Sequence, residues 1–252
     1  MNDIDESKAP LLEHLIELRQ RLLWCVAALA VTFAICLYFA DEIFGLLVMP
    51  LTGAFAEGQG ELIYTKLYEA FFVEIKVALF AAFFVSFPII ASQMWAFIAP
   101  GLYAQEKRAF LPFIIATPLL FTAGASLAYF VVMPLAFSYF LQYQGITGGL
   151  QLKALPAAGE YLSLVMQFIL AFGICFLLPV LLLLLNRAGL VSREQLAKLR
   201  RYMIVASFAL AAILTPPDII SQFMLGLPLI ILFEASLLIM RFTERKKEKA
   251  AI

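Results

Sequence analysis

Residues 71 to 97, 110 to 140 and 161 to 185 are three apolar runs, each longer than the roughly 20 residues that take a helix across the hydrocarbon of a bilayer. A fourth, 22 to 40, is close to that length, and two weaker runs follow at 202 to 214 and 219 to 240. With 63% hydrophobic residues, 14% charged residues and a mean hydropathy of +0.94, the chain lies far from a soluble domain. The pattern predicts an all-α membrane protein with six transmembrane helices, residues 1–252 forming a single polytopic membrane domain. Pro88, Gln93, Pro118, Pro134 and Pro179 interrupt the second to fourth runs, which predicts bent helices whose freed backbone groups are satisfied by neighbours.

Six spans place both termini on one side. If that side is the cytoplasm, fifteen of the 18 basic residues lie there and only Lys66, Lys76 and Lys153 lie outside, as the positive-inside rule requires. The acidic leader "MNDIDESKAPLLEHL" has none of the features of a cleavable signal, so the first span is expected to stay. Cys25, Cys36 and Cys175 fall inside spans and read as small apolar side chains. The outside connections, about 41 to 70 and 141 to 160, read as loops that cap the outer helix ends, and neither is long enough to bury a core of its own.

Chemistry is sparse. His14 is the only histidine, and there is no G-x-S-x-G, H-E-x-x-H or phosphate-binding glycine loop. We therefore expect no enzyme, no metal and no cofactor, with any work drawn from a gradient or a partner.

Charges at the membrane boundary are the remaining candidates. Glu17 stands one turn from Glu13 and from Arg21; as an exposed Glu17–Arg21 pair it would be worth about 0.3–0.5 kcal/mol. In "FIAPGLYAQEKRAFLP", Pro100 and Gly101 stop one helix, and Glu106, beside Lys107 and Arg108, starts the next, where the macrodipole favours a carboxylate. In "AILTPPDIISQF", Pro216 and Pro217 end a run too short to span, and Asp218 caps the next helix ahead of Ser221 and Gln222. Glu234 lies within the last run, where an ionisable group marks function or a buried partner, or snorkels towards Arg241.

In order and position, "HLIELRQRL", "QMWAFIAPGLYAQEKR", "AYFVVMPLAF", "LTPPDIISQ" and "LFE" resemble the TatC family, the multispanning subunit of the twin-arginine protein translocase, over residues 11 to 241. The resemblance implies six tilted helices in a concave, cupped arrangement, in the bacterial inner membrane with both termini cytoplasmic. It further implies recognition of folded precursors by a signal peptide carrying two consecutive arginines, and assembly with single-span TatA- and TatB-type subunits and with further copies of the chain. Transport would be driven by the proton-motive force, with membrane lipid but no nucleic acid as a further partner. Carried onto this sequence, Glu17 and Glu106 form the signal-binding patch, and Arg19, Arg21, Lys107 and Arg108 stand beside them. Carboxylates held together discriminate a guanidinium from an ammonium because only the former makes forked hydrogen bonds.

Thr215, Ser221 and Gln222 correspond to a polar region at a lipid-facing edge where partner helices dock, with Asp218 and Glu234 as acidic groups nearby. Pro50 and Phe71 also match family positions, and the short fifth and sixth runs would thin the bilayer locally. One departure stands out: many relatives carry a glutamate before the fourth-span proline, whereas Leu178 precedes Pro179 here, with Gln167 the nearest polar side chain in that span. The alternatives are a small-solute secondary transporter, against which the chain has no inverted repeat, and an assembly scaffold without signal recognition.

Overall fold

The structure is a computed structural model and describes residues 3–55, 60–102, 111–147, 150–215 and 218–250. Ten α-helices follow in order: α1 Asp3–Tyr38, α2 Ala40–Thr52, α3 Glu69–Leu102, α4 Leu111–Leu127, α5 Met133–Leu141, α6 Ala158–Cys175, α7 Leu178–Arg187, α8 Arg193–Lys198, α9 Arg200–Leu214 and α10 Ile219–Ala250. A short antiparallel hairpin, β1 Gly145–Thr147 with β2 Leu150–Leu152, lies between α5 and α6.

Among the described residues, five stretches are long and apolar enough to cross a membrane: His14–Tyr38, Glu69–Phe97, Pro112–Leu141, Ala158–Arg187 and Ile219–Glu244. The sixth helix, α9, has 15 residues and is therefore about 22 Å long. The expected six-helix membrane architecture is thus present, and the fifth run is short as read. The sixth is not: its span covers 26 residues, so local thinning cannot be assigned to it. The helix expected to stop at Pro100 runs on to Leu102.

Proline positions the breaks. In the third span a π-helical turn, Ala128–Val132, precedes Pro134. In the fourth, α6 ends at Cys175 and α7 begins at Leu178, next to Pro179, whose ring would clash with the carbonyl four residues earlier in an unbroken helix. The end of α6 closes with Phe176 N–H donating to Phe172 C=O and, in a tighter turn, Leu177 N–H to Ile174 C=O, both at 3.0 Å. At the end of α7, Gly189 takes φ +73°, a conformation that L side chains resist, and turns the chain towards α8. Ser192 and Gln195 then form a reciprocal capping box at the start of that helix.

Helix α2 corrects the expectation of a loop at 41 to 70. Asp41 and Glu42 occupy its first turn, where the macrodipole favours them, and Leu47 and Leu51 are buried. Pro50 lies inside this helix and has no N–H for the Leu46 carbonyl; the Tyr129 hydroxyl donates to that carbonyl at 2.5 Å instead. Tyr161 donates to the neighbouring Leu47 carbonyl at 2.8 Å.

The chain divides into two compact units, Met1–Phe44 with Phe71–Pro118, and Gly45–Ala70 with Leu119–Ile252. Within the first, α1 and α3 run antiparallel: His14 stacks on Phe97, Arg21 reaches Gln93, Thr32 Oγ1 donates to Ala82 C=O at 3.2 Å, and Cys36 packs with Ala78 and Ala82. Cys36 is buried among apolar groups, as expected of a small apolar side chain. Trp95, also in α3, donates to Thr117 Oγ1 of α4 at 2.7 Å in the buried interior.

In the second unit, Ala128, Val132, Phe172, Cys175, Ala211, Leu225 and Leu229 form one core, and Leu182, Leu196, Phe233, Leu237 and Met240 another. Leu178 packs against this second core, so an apolar side chain fits the position before Pro179. Close approach of α4 to α6 depends on glycine. A Cβ on Gly124 would stand 2.4 Å from the Phe172 carbonyl oxygen, and one on Gly173 2.6 Å from the Phe121 ring.

Two outcomes follow for thermal unfolding in detergent. Tyr129→Phe leaves the Leu46 carbonyl without its donor and is expected to cost about 1–3 kcal/mol, whereas Tyr38→Phe, at an exposed ring, leaves the midpoint unchanged. Gly124→Ala forces backbone apart and lowers stability by roughly 1–3 kcal/mol or more, while Gly45→Ala, with open space around its Cβ, does not.

Candidate functional site

At the end of α1 where its span begins, His14, Glu17 and Arg21 fall on one stripe through spacings of three and four residues. Arg21 Nε donates to Glu17 Oε1 at 2.9 Å, and Nη2 donates to the same oxygen. Both guanidinium contacts therefore use one carboxylate oxygen. The other, Oε2, faces His14 Nδ1 at 3.8 Å. Arg21 Nη1 also donates to Gln93 Oε1 at 3.4 Å, and the His14 ring lies flat on Phe97 with centroids 4.3 Å apart. Gln93 and Phe97 are one turn apart on α3, so two side chains from the neighbouring helix hold the ends of the α1 stripe.

The ion pair anticipated from spacing is thus present, and it is more than an intrahelical pair. The Glu17 side chain is 34% exposed and that of Arg21 25%, so the carboxylate is oriented by a partly desolvated cation and keeps one oxygen for a further donor. Arg19, two residues away on the helix, is exposed and lies off this stripe. Glu106, Lys107 and Arg108 lie outside the described residues, as do Pro216, Pro217 and the Glu13 side chain.

Asp218 caps α10 as expected: Ser221 N–H donates to Asp218 Oδ2 at 2.6 Å. Thr215 and Ser221, anticipated at a lipid-facing edge, are instead buried within the chain. The Thr215 hydroxyl is satisfied by the Ala211 carbonyl at 2.9 Å. Ser221 Oγ and Asp218 Oδ1 are buried without a hydrogen-bond partner among the described residues. Of the three polar positions only Gln222 keeps some surface. Gln167 has a definite task, donating from Nε2 to the Leu214 carbonyl at 2.9 Å and so closing an end of α9 that has no further turn to accept it.

Glu234 pairs with a residue that sequence spacing did not indicate. Arg200 Nε stands 2.8 Å from Glu234 Oε1 and Nη2 stands 2.9 Å from Oε2, a forked, two-bond contact between the first residue of α9 and the middle of α10. Arg241, one candidate for drawing Glu234 to the surface, is exposed further along α10. A second inter-element pair, Arg193 Nε to Glu244 Oε2 at 2.8 Å, ties α8 to the same helix. Pro50 acts within α2 as described, and Phe71 is an exposed ring on the first turn of α3, in edge contact with Phe72. Among the described residues no cluster of metal-ligating side chains occurs.

Comparison with known proteins places this arrangement. A sequence profile described as "Sec-independent protein translocase protein (TatC)" matches residues 13–228. The Sec-independent protein translocase protein TatC of Magnetococcus marinus is 50% identical over 247 residues, covering 98% of this chain and 89% of that one. Its counterpart in Escherichia coli K12 is 41% identical over 237 residues, covering 94% and 90%. A crystal structure titled "Twin Arginine Translocase Receptor- TatC" superposes with a TM-score of 0.75 at 39% identity, covering 91% of this chain and 98% of the other. The match takes in the His14–Arg21 stripe, Gln93, Trp95 and the α9–α10 hairpin up to residue 228, and on that evidence the chain belongs to the TatC family of Sec-independent protein translocase proteins.

Proposed function

We propose that the chain is the signal-receiving core subunit of a twin-arginine translocase, a transport component and not an enzyme. The observation that carries this reading is the Glu17 carboxylate: it is held from one side by Arg21, itself steadied by Gln93, and it presents Oε2 next to His14 where α1 meets the membrane surface. A guest guanidinium needs such an acceptor, preoriented and partly shielded from water, because charge-assisted hydrogen bonds gain strength as solvent is withdrawn. Glu106 supplies the second carboxylate in this proposal, and Lys107 and Arg108, with Arg19, hold the surface against phospholipid phosphates.

The proposal sets residues 1–252 as one polytopic domain in the bacterial inner membrane with both termini in the cytoplasm, in agreement with the distribution of basic residues. TatA- and TatB-type single-span subunits and further copies of the chain assemble on it, and the proton-motive force drives the passage of folded cargo. Gln222, with its exposed surface, is the polar contact for a docking helix, while Thr215, Ser221 and Asp218 shape the end of α9 from within. The Arg200–Glu234 fork and the Gln167–Leu214 bond hold a 15-residue helix at both ends, and a bilayer thinned around α9 is its consequence.

Signal-peptide binding to the protein in nanodiscs tests the receptor reading directly. A twin-arginine peptide is expected to bind more tightly than its twin-lysine counterpart, and Glu17→Gln or Glu106→Gln to weaken it roughly ten- to a hundredfold, the loss of one charged hydrogen bond of about 1.5–3 kcal/mol. Equal binding of both peptides, unmoved by either substitution, would instead favour an assembly scaffold.

A further inference from the structure

Two connections, one between α2 and α3 and one between α5 and α6, are joined by the structure into a single folded piece. Ile63 N–H donates to Pro156 C=O at 3.1 Å, and Ala158 N–H donates to Ile63 C=O at 2.9 Å, a short parallel bridge between the two. Glu69 completes the join. Its Oε2 accepts from Thr65 N–H at 2.6 Å, Thr65 Oγ1 at 2.9 Å and Lys66 N–H at 3.2 Å, while Oε1 accepts from Gly159 N–H at 2.9 Å in the first turn of α6. A carboxylate at a helix N-terminus is favoured by the exposed amides and the macrodipole. A Cβ on residue 159 would stand 2.7 Å from Glu69 Oε1, so glycine lets the carboxylate keep this position.

This stitched piece carries large, mainly apolar side chains that keep about half or more of their surface exposed. Tyr64, Leu67 and Tyr68 are exposed on the first connection, and Tyr143, Ile146 and Leu155 on the second; Leu67 is fully exposed and Ile146 80% so. The hydrogen bonds above hold the backbone beside Tyr64, Leu67, Tyr68 and Leu155, and the β1–β2 pairing holds that of Ile146. Contiguous apolar surface of this kind marks a place of contact.

Position along the chain identifies the contact. Leu67 and Tyr68 immediately precede the span that begins at Glu69, Tyr143 follows by two residues the span that ends at Leu141, and Leu155 precedes by three the span that begins at Ala158. An extended chain covers at most about 3.6 Å per residue, so these four residues stay within roughly 11 Å of the span ends, inside or next to the headgroup layer, and Tyr64 and Ile146, each five residues from a span end, within roughly 18 Å. Tyrosine is the residue enriched at that depth, and Lys66 and Lys153, in the same two connections, bring cations to the level of phosphates.

We propose that the surface carrying Tyr64, Leu67, Tyr68, Tyr143, Ile146 and Leu155 is a membrane-interface seat: a preformed apolar patch, pinned by Glu69 and Gly159, that rests in the phospholipid headgroup layer. It fixes the depth at which α3, α5 and α6 emerge. The proposal stands on the multipass architecture and is independent of signal binding.

Site-directed spin labelling reads it out. Cys25, Cys36 and Cys175 are replaced by alanine, a single cysteine is introduced as Leu67→Cys or Ile146→Cys and labelled, and the full chain is reconstituted in phospholipid nanodiscs. Collision rates with oxygen, which partitions into lipid, and with a water-soluble nickel chelate are then compared with those of free label in buffer. At both positions the oxygen-to-nickel ratio is expected to rise several-fold above the free-label value. A ratio equal to that of free label would place the surface in water, and suppression of both collision rates together would place it under protein, a partner or a second copy; either result overturns the proposal. Tyr64→Cys and Leu155→Cys serve as second positions should a first variant lose its helical circular-dichroism signal.

Discussion

Lipid offers the backbone nothing to bond to, and most of the architecture follows from that constraint. Each unsatisfied peptide group in hydrocarbon costs several kcal/mol, so wherever proline or a short helix frees a carbonyl, a side chain from another element must reach it. Tyr129 reaches Leu46, whose partner in a regular helix would be Pro50; Gln167 reaches Leu214 at the end of α9. Where no side chain is placed to help, the backbone itself adjusts, through the π-helical turn before Pro134 and the tightened turn at Phe176 and Leu177. At Pro50 the missing bond thereby becomes a tie between α2 and the π-helical turn of the third span.

The same logic explains how charges are admitted. Glu234 and Arg200 meet through two parallel bonds that leave neither ion exposed to hydrocarbon alone, and Glu17 and Arg21 meet where α1 passes from water into lipid. The two pairs differ in what they leave over. In the first, both carboxylate oxygens are engaged, which makes a structural tie between α9 and α10. In the second, one oxygen is engaged twice and the other is left facing His14, which makes an acceptor. A fully forked pair closes a site, and an asymmetric one keeps it open.

Much of the helix pattern was legible because apolar length and proline position are local properties. Spans at 71 to 97 and 161 to 185 lie within the observed segments Glu69–Phe97 and Ala158–Arg187, and Asp218 caps α10 as its place before an apolar run implies. Helix α2 was missed because its 13 residues follow a long span with almost no polar break, and glycines and Pro50 disguise it as a connection. Thr215 and Ser221 read as exposed polar groups, yet they are buried, because a polar residue near a helix end says nothing about what packs over it.

The sequence by itself determined that this chain lies in a membrane as helices, how many apolar runs it has, where they break and which boundary residues are charged, since hydrophobic length and backbone geometry act residue by residue. Which side chains those charges meet was decided only by tertiary structure. Gln93 for Arg21, Arg200 for Glu234, Tyr129 for the Leu46 carbonyl and Gly159 for Glu69 are separated by 34 to 90 residues along the chain. Helical periodicity names the face a residue occupies, but not the helix that will lie against that face; that choice comes from close packing at positions such as Gly124 and Gly173, where only the folded chain brings two backbones together.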